Sequence, residues 1–219
     1  TTWCHAFWWH CTLDTDMPTH TCKALVLKCA EACPPGTAMR WHTAITFPGK
    51  PQTSLQTAFT PHAENGLPML YVYVRFSEPT DLSPDDCAAL EKAWYALTGH
   101  AAQISRLQEV MHLETQHPQE TLGAHYVVET DPEQGWEEEI FKWYDEEHLP
   151  GLSRVPGCMV ARRYLNLDHG PRSFACYDLL NPEVVTTAPW LAVRGTAWSD
   201  ICRPHFTNTL RTMFNQKES

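Results

Sequence analysis

FKWYDEEHLPGLSRVPG, residues 141–157, joins an acidic helical face to a histidine, then a proline, then a Pro-Gly pair. Tyr144 and His148 lie four residues apart and so share one face of a helix. Leu149-Pro150-Gly151 predicts that this helix stops directly behind His148, because proline cannot supply the next backbone hydrogen bond. His148 then either ends the helix as a fixed acid or base at the mouth of a cavity, or simply caps the last turn by bonding free carbonyls. Asp145, Glu146, Glu147 and the negative end of the helix dipole all favour its charged form.

Outward from this stretch the pattern is regular. Residues 123–132 read as a strand, 136–149 as a helix, and 158–167 and 172–181 as strands. A helical segment broken near Pro189 and a closing strand at 207–214 complete the order βαββαβ. The first half is read in the same order, with strands at 5–14, 37–47, 67–76 and 105–114 and helices at 20–32 and 83–97. Ser83 as N-cap and Pro84 at the first helical position mark the second of these helices. PPGTAMRWH (34–42) lies over VPGCMVARRY (155–164), which supports a tandem repeat, 1–118 and 119–219. Residues 48–66, rich in Pro, Gly, Gln and Thr, read as a long loop.

The fold class that follows is α+β, with two ferredoxin-like βαββαβ repeats. An antiparallel four-stranded sheet with both helices on one face leaves its other face bare, and two copies in one chain can bury those faces against each other as a barrel. The chain has 219 residues, 43% of them hydrophobic, without a 20-residue apolar run. Neither a charged-then-apolar leader nor an initiator Met is present, which points to a processed or trimmed cytoplasmic protein. The nine cysteines are odd in number and irregularly spaced, as reduced thiols would be. A net charge of -10 argues against nucleic acid and anionic membrane as partners.

WYDEEHLPGLSRVPGCMVARRY, preceded by Phe141 and followed by the FACYDL strand, resembles the dimeric α/β-barrel superfamily with ferredoxin-like subunits, and within it the EthD-like and related small-barrel proteins. The shared pattern is F-x-x-W/Y-x-x-x-H-x-P, a Pro-Gly turn and a strand with an Arg-Tyr pair, and it covers roughly residues 123–214. The first repeat departs from it, with Val26 or Leu27 near the position of His148, so a site built on that histidine occurs once per chain. The resemblance implies a cavity between sheet and helices for a small, mostly apolar molecule. Its members include cofactor-free monooxygenases, muconolactone isomerases, polyketide cyclases and haem enzymes, so the fold does not fix the reaction.

His148 is the candidate general base or acid, with Tyr144 or Tyr164 as donor to a developing oxyanion and Arg162 as carboxylate anchor. On their strand Arg162 and Tyr164 share one face and Arg163 points to the other. Trp143 and Phe141 read as packing or as a wall for the substrate. A second candidate cluster joins Trp8 and His10 of the first strand with His42 and Tyr73, a set that suits an aromatic ligand or simply a core. His10, His42, His112 and His125 all fall on expected strands, which keeps a metal or haem enzyme as an alternative, although HxH, HExxH and CxxC spacings are absent. Cys158 and Cys176 sit in strand contexts typical of inert thiols.

The preferred reading is a small-molecule enzyme without a bound organic cofactor or metal, of isomerase, cyclase, lyase or monooxygenase type, acting by proton transfer on an aromatic, lactone-like or polyketide-like substrate. The alternative is a non-catalytic, ligand-binding or stress-related barrel, its interior filled by Trp8, Trp9, Trp41 and Tyr73. A monomer and a homodimer both fit.

Overall fold

A computed structural model describes residues 21–45, 53–63, 66–115 and 121–215. Its first half contains β1 (Thr21–Cys29), α1 (Thr37–Ala44), β2 (Thr53–Thr60), β3 (Met69–Asp81), α2 (Pro84–Thr98) and β4 (Gln103–Glu114). The second contains β5 (Ala124–Pro132), a helical stretch made of α3 (Glu137–Trp143), a π turn (Tyr144–His148) and α4 (Leu149–Ser153), then β6 (Cys158–Asn166) and β7 (Ser173–Leu179). It ends with α5 (Ala188–Arg194), α6 (Ala197–Cys202) and β8 (Phe206–Asn215). The fold is α+β, two ferredoxin-like βαββαβ halves in one chain.

All eight strands form one antiparallel sheet in the order β2-β3-β1-β4-β6-β7-β5-β8. The halves are joined where β4 pairs with β6, from Leu107 opposite Asn166 to Glu114 opposite Val160. At the far ends β8 comes to lie beside β2, which rolls the sheet into a barrel. Each half thus lends its second and fourth strands to the other, a pseudo-twofold arrangement.

Three layers of core result. Under α1 and α2, Trp41 and Trp94 meet edge to face at 5.7 Å against Leu25, Leu27, Val72 and Val74. A second core fills the space under the helices of the other half. The third is the barrel interior, where Ala24, Val26, Tyr71, Tyr73, Tyr164, Phe174, Cys176 and Phe214 pack from opposite walls. Every residue of β7 is buried, since one face meets the lumen and the other the helices. The same two-sided burial explains an error of sequence reading.

Residues 20–32 were expected to be helical, yet TCKALVLKC is the central strand β1, whose near-continuous apolar run hides the period of two. Residues 37–47 were expected as a strand, but TAMRWHTA is α1, entered through Gly36 in the left-handed region at φ 77°. The supposed loop at 48–66 contains β2, a polar strand at the end of the sheet order. The match of 34–42 to 155–164 therefore set a helix over a strand, and Val26 and Leu27 lie on β1, not opposite His148. The expected strand at 5–14 lies outside the described residues. The element order βαββαβ survives in this half: the expected elements at 67–76, 83–97 and 105–114 agree with β3, α2 and β4, and only the earlier members are shifted along the chain.

Arg106 of β4 ties the halves together. Its guanidinium grips both carboxylate oxygens of Asp168, at 2.5 and 3.0 Å, while its backbone N–H donates to the same group at 2.7 Å. Burial alone would raise the Asp168 pKa, but these hydrogen bonds and the Arg106 charge bring it below the usual carboxylate range. Asp168→Asn strands a cation that is 5% exposed. It is expected to lower the unfolding free energy in urea titration by about 3 kcal/mol, with much of the loss recovered in an Arg106→Met, Asp168→Leu double variant. A double variant as unstable as the single one would refute the charge account.

Candidate active site

The helical stretch carrying His148 starts with Glu137, Glu138 and Glu139 in its first turn, where their charges meet the positive end of the helix dipole. It does not stop behind His148 as its Pro-Gly pair suggested; it runs on to Ser153. The continuation depends on the π turn at Tyr144–His148, closed by the Leu149 N–H donating to the Tyr144 carbonyl. Pro150 lacks the N–H that a regular helix would use at that point, and a widened turn accommodates the missing bond. Gly151 has a separate role: a Cβ there would sit 2.8 Å from Val193 Cγ1, so the glycine lets α5 close onto this helix. Thr196, the N-cap of α6, donates to Glu147 Oε1 at 2.6 Å and fastens α6 to the π turn.

Between these helices and the outer face of β5, β7 and β8 lies a cavity of about 30 Å³, walled by Trp143, Tyr144, His148, Tyr177, Trp190 and three arginines, Arg194, Arg203 and Arg211. His148 is 8% exposed, stacks on Trp143 at 4.1 Å between ring centroids and meets Tyr144 edge-on at 5.5 Å. Its Nδ1 has no hydrogen-bond partner. Burial, then the charges of Arg203 and Arg194, pull its pKa down to about 3, opposite to the rise expected from its acidic neighbours in sequence. Those neighbours face away: Asp145 pairs with Arg163 at 2.5 Å and Glu147 holds Thr196. Burial raises the Tyr144 and Tyr177 pKa values, so both hydroxyls remain protonated donors.

His148, Tyr144 and Trp143 thus come together; the other expected site residues do not join them. Tyr164 lies on the opposite, lumen face of β6, where its hydroxyl accepts from Arg75 Nε at 3.1 Å. Arg162 also faces the lumen and pairs with Asp178 at 3.0 Å, while Arg163 faces the helices and lies over the Phe141 ring at 4.2 Å. Tyr73 is fully buried in the lumen, its hydroxyl 3.2 Å from His125 Nε2. His125 Nδ1 in turn meets Asp178 Oδ1 at 2.6 Å. At the other end of the lumen Glu129 binds Lys28 and the Tyr71 hydroxyl.

His42 is on α1, on the outside of the barrel, bonded to Thr53 Oγ1 at 2.8 Å, so it cannot share a pocket with Tyr73. Trp8, Trp9 and His10 lie outside the described residues. Trp41 packs under α1 and does not fill the barrel. His112 pairs with Glu114 at 2.9 Å and His125 with Asp178 at 2.6 Å, and among the described residues three His, Cys, Asp or Glu side chains do not converge as metal ligands. Burial raises the Cys158 and Cys176 thiols to about 12, which disfavours their thiolates.

Sequence reading missed Tyr177, Trp190 and the three arginines. Parity on β7 would have placed Tyr177 opposite Cys176, but Arg194 and Arg203 sit at the ends of short helices, where no period marks them.

The fold has solved counterparts. A protein of Fusobacterium nucleatum provisionally described as a monooxygenase superposes with a TM-score of 0.56 at 8% identity, over 88% of this chain and 91% of that one. A Lactobacillus acidophilus protein with the same provisional description gives 0.53 at 12% identity, over 89% and 92%. No family model matches the sequence, and no curated protein does. At these identities the likeness shows a shared fold alone. Among the described residues, no helix is long and apolar enough to cross a membrane.

The depressed pKa of His148 has a signed consequence. The unfolded chain takes up a proton near pH 6.5, whereas folded His148 resists it down to about pH 3. Its contribution is fully present above pH 6.5 and is lost as pH falls through that window. Relative to His148→Gln, the native protein is expected to lose stability at about 1.4 kcal/mol per pH unit across it, as read by denaturant titration. Parallel stability curves for the two proteins would show that His148 titrates normally.

Proposed function

We propose that this protein is a small-molecule enzyme whose His148 accepts a proton from an acidic O–H or C–H of an aromatic, lactone-like or polyketide-like substrate. The observation that carries the reading is a neutral, buried imidazole with an unpartnered ring nitrogen, in the wall of a cavity of aromatic rings and arginines. A base held this low is weak by itself. The enolate or phenolate that forms on deprotonation supplies the opposite charge that stabilises the imidazolium, so basicity rises as the proton moves. Tyr144 and Tyr177 donate to the developing oxyanion.

A stabilised carbanion of this type can rearrange, as in an isomerase, cyclase or lyase, or can reduce dioxygen without a bound cofactor, as in a monooxygenase. The two solved counterparts described as monooxygenases favour the oxygen-dependent branch. The reading takes residues 1–118 and 119–219 as the two halves, with the chemistry in the second, and a single chain or a pair of chains in the cytoplasm as the working unit. The small cavity, about 30 Å³, favours one rival: a binding protein without turnover.

Both are tested by solvent-deuterium exchange into a panel of hydroxyanthrones, phenols and lactones, followed by NMR, with oxygen uptake measured in parallel. Exchange is expected, and His148→Ala should slow it by about 100-fold or more. Binding without exchange would support the rival, and unchanged exchange in His148→Ala would remove His148 from the mechanism.

A further inference from the structure

The cavity beside His148 has an unbalanced set of polar groups. Four side chains in its wall carry buried polar atoms without a partner: Trp143 Nε1, Trp190 Nε1, Tyr177 Oη and His148 Nδ1. Trp143 is 0% exposed, and Tyr177 and Trp190 are each 1% exposed. Two are indole N–H groups, which only donate, and the third is a phenol that burial keeps protonated. Buried polar groups are nearly always satisfied, so four orphans on side chains that wall one space invite a partner there.

The charges agree with the donors. Arg194, Arg203 and Arg211 line the same space, and among the described residues no carboxylate does. Arg194 closes α5 and Arg203 follows α6, so two successive short helices deliver guanidinium groups to one side of the cavity. No ion pair joins Arg194 or Arg203 to a carboxylate among the described residues, whereas Arg163, on the same side of the sheet, has Asp145 at 2.5 Å. Burial and the mutual repulsion of Arg203 with Arg194 and Arg211 lower the Arg203 pKa, a cost that a bound anion would relieve.

We propose that this cavity selects an anionic aromatic ligand, a carboxylate or phenolate whose oxygens accept from Trp190, Tyr177 and Arg203 while its ring stacks within Trp143 and Tyr144. The proposal rests on the cavity being the ligand site, as above, but not on turnover there. A ring exceeds the present volume of about 30 Å³, and the proposal includes an outward shift of α5 and α6 to admit it. The two are short helices fastened to the π turn through the Thr196–Glu147 hydrogen bond.

Isothermal titration with 2-naphthoate and its neutral isostere 2-naphthamide tests this. Naphthoate is expected to bind about 10-fold more tightly or better, as a charge-assisted hydrogen bond allows. Arg203→Gln should reduce that preference to about 3-fold or less, and Arg203→Lys, which keeps the charge, should retain most of it. Binding is read here without turnover, so a failure of the deuterium-exchange test leaves this claim standing. Equal binding of the two probes, binding of neither, or a preference that survives both Arg203→Gln and Arg194→Gln would overturn the proposal. Circular dichroism and cooperative thermal unfolding establish that each variant is folded, and the Lys variant decides the matter if the Gln variant is not.

Discussion

Four strands with their helices on one side leave a hydrophobic face open to water, and nothing else in this chain can be arranged until that face is covered. The second half covers the first, through β4 pairing with β6 and β8 lying beside β2. Closure brings the two end strands, β2 and β8, side by side and commits polar side chains to the interior. Burying a charge is tolerable only if it is paired. The lumen meets that condition, with Glu129 held by Lys28 and Tyr71, and Asp178 by His125, Arg162 and Gln56. Burial would raise the Asp178 pKa, yet those partners drive it well below the ordinary range, so the carboxylate stays ionised.

A filled lumen decides where a ligand can go. Tyr71, Tyr73, Phe174 and Phe214 occupy the centre of the barrel, so room for a ligand is found at the mouth beside Lys28, Tyr71 and Glu129, about 600 Å³, and on the outer face between sheet and helices. In the first half that space is taken by Trp41 and Trp94 in edge-to-face contact. In the second half the equivalent layer is opened by the π turn, which rotates His148 onto Trp143 and leaves a gap against Tyr177 and Trp190. The two halves share a topology and differ in their helices: α1 and α2 are single, whereas the second half has α3, the π turn and α4, then the short α5 and α6.

The legibility of the sequence follows from the same two-sided burial. Where a strand has a polar neighbour on each flank and a clear turn before it, as in β6 and β7 after Pro156-Gly157, the expected span of 158–167 agrees with Cys158–Asn166. Where a strand is central and apolar throughout, as in β1, its period vanishes and TCKALVLKC reads as helix. β2 fails for the opposite reason: Thr, Ser and Gln dominate a strand whose partners on one side come from the far end of the chain. For the site, spacing on one helix correctly grouped Tyr144 with His148. It could not tell which sheet face meets that helix, and so Tyr164 and Arg162, on the lumen side, were grouped with residues they never meet.

Charge balance separates the two kinds of polar interior in this molecule. In the lumen each carboxylate faces a cation and each of the long polar side chains Gln56, Lys28 and Arg75 finds a partner, which is what a structural network requires. Across the sheet, a few ångströms away, arginines and indole donors surround a neutral imidazole with no carboxylate among them. The buried indole donors leave part of their desolvation cost unmet and the half-buried arginines add a positive field, so a complementary anion stabilises this side of the sheet. The same anion would restore to His148 the basicity that burial and its cationic neighbours withhold, so ligand recognition and proton transfer depend on one electrostatic imbalance.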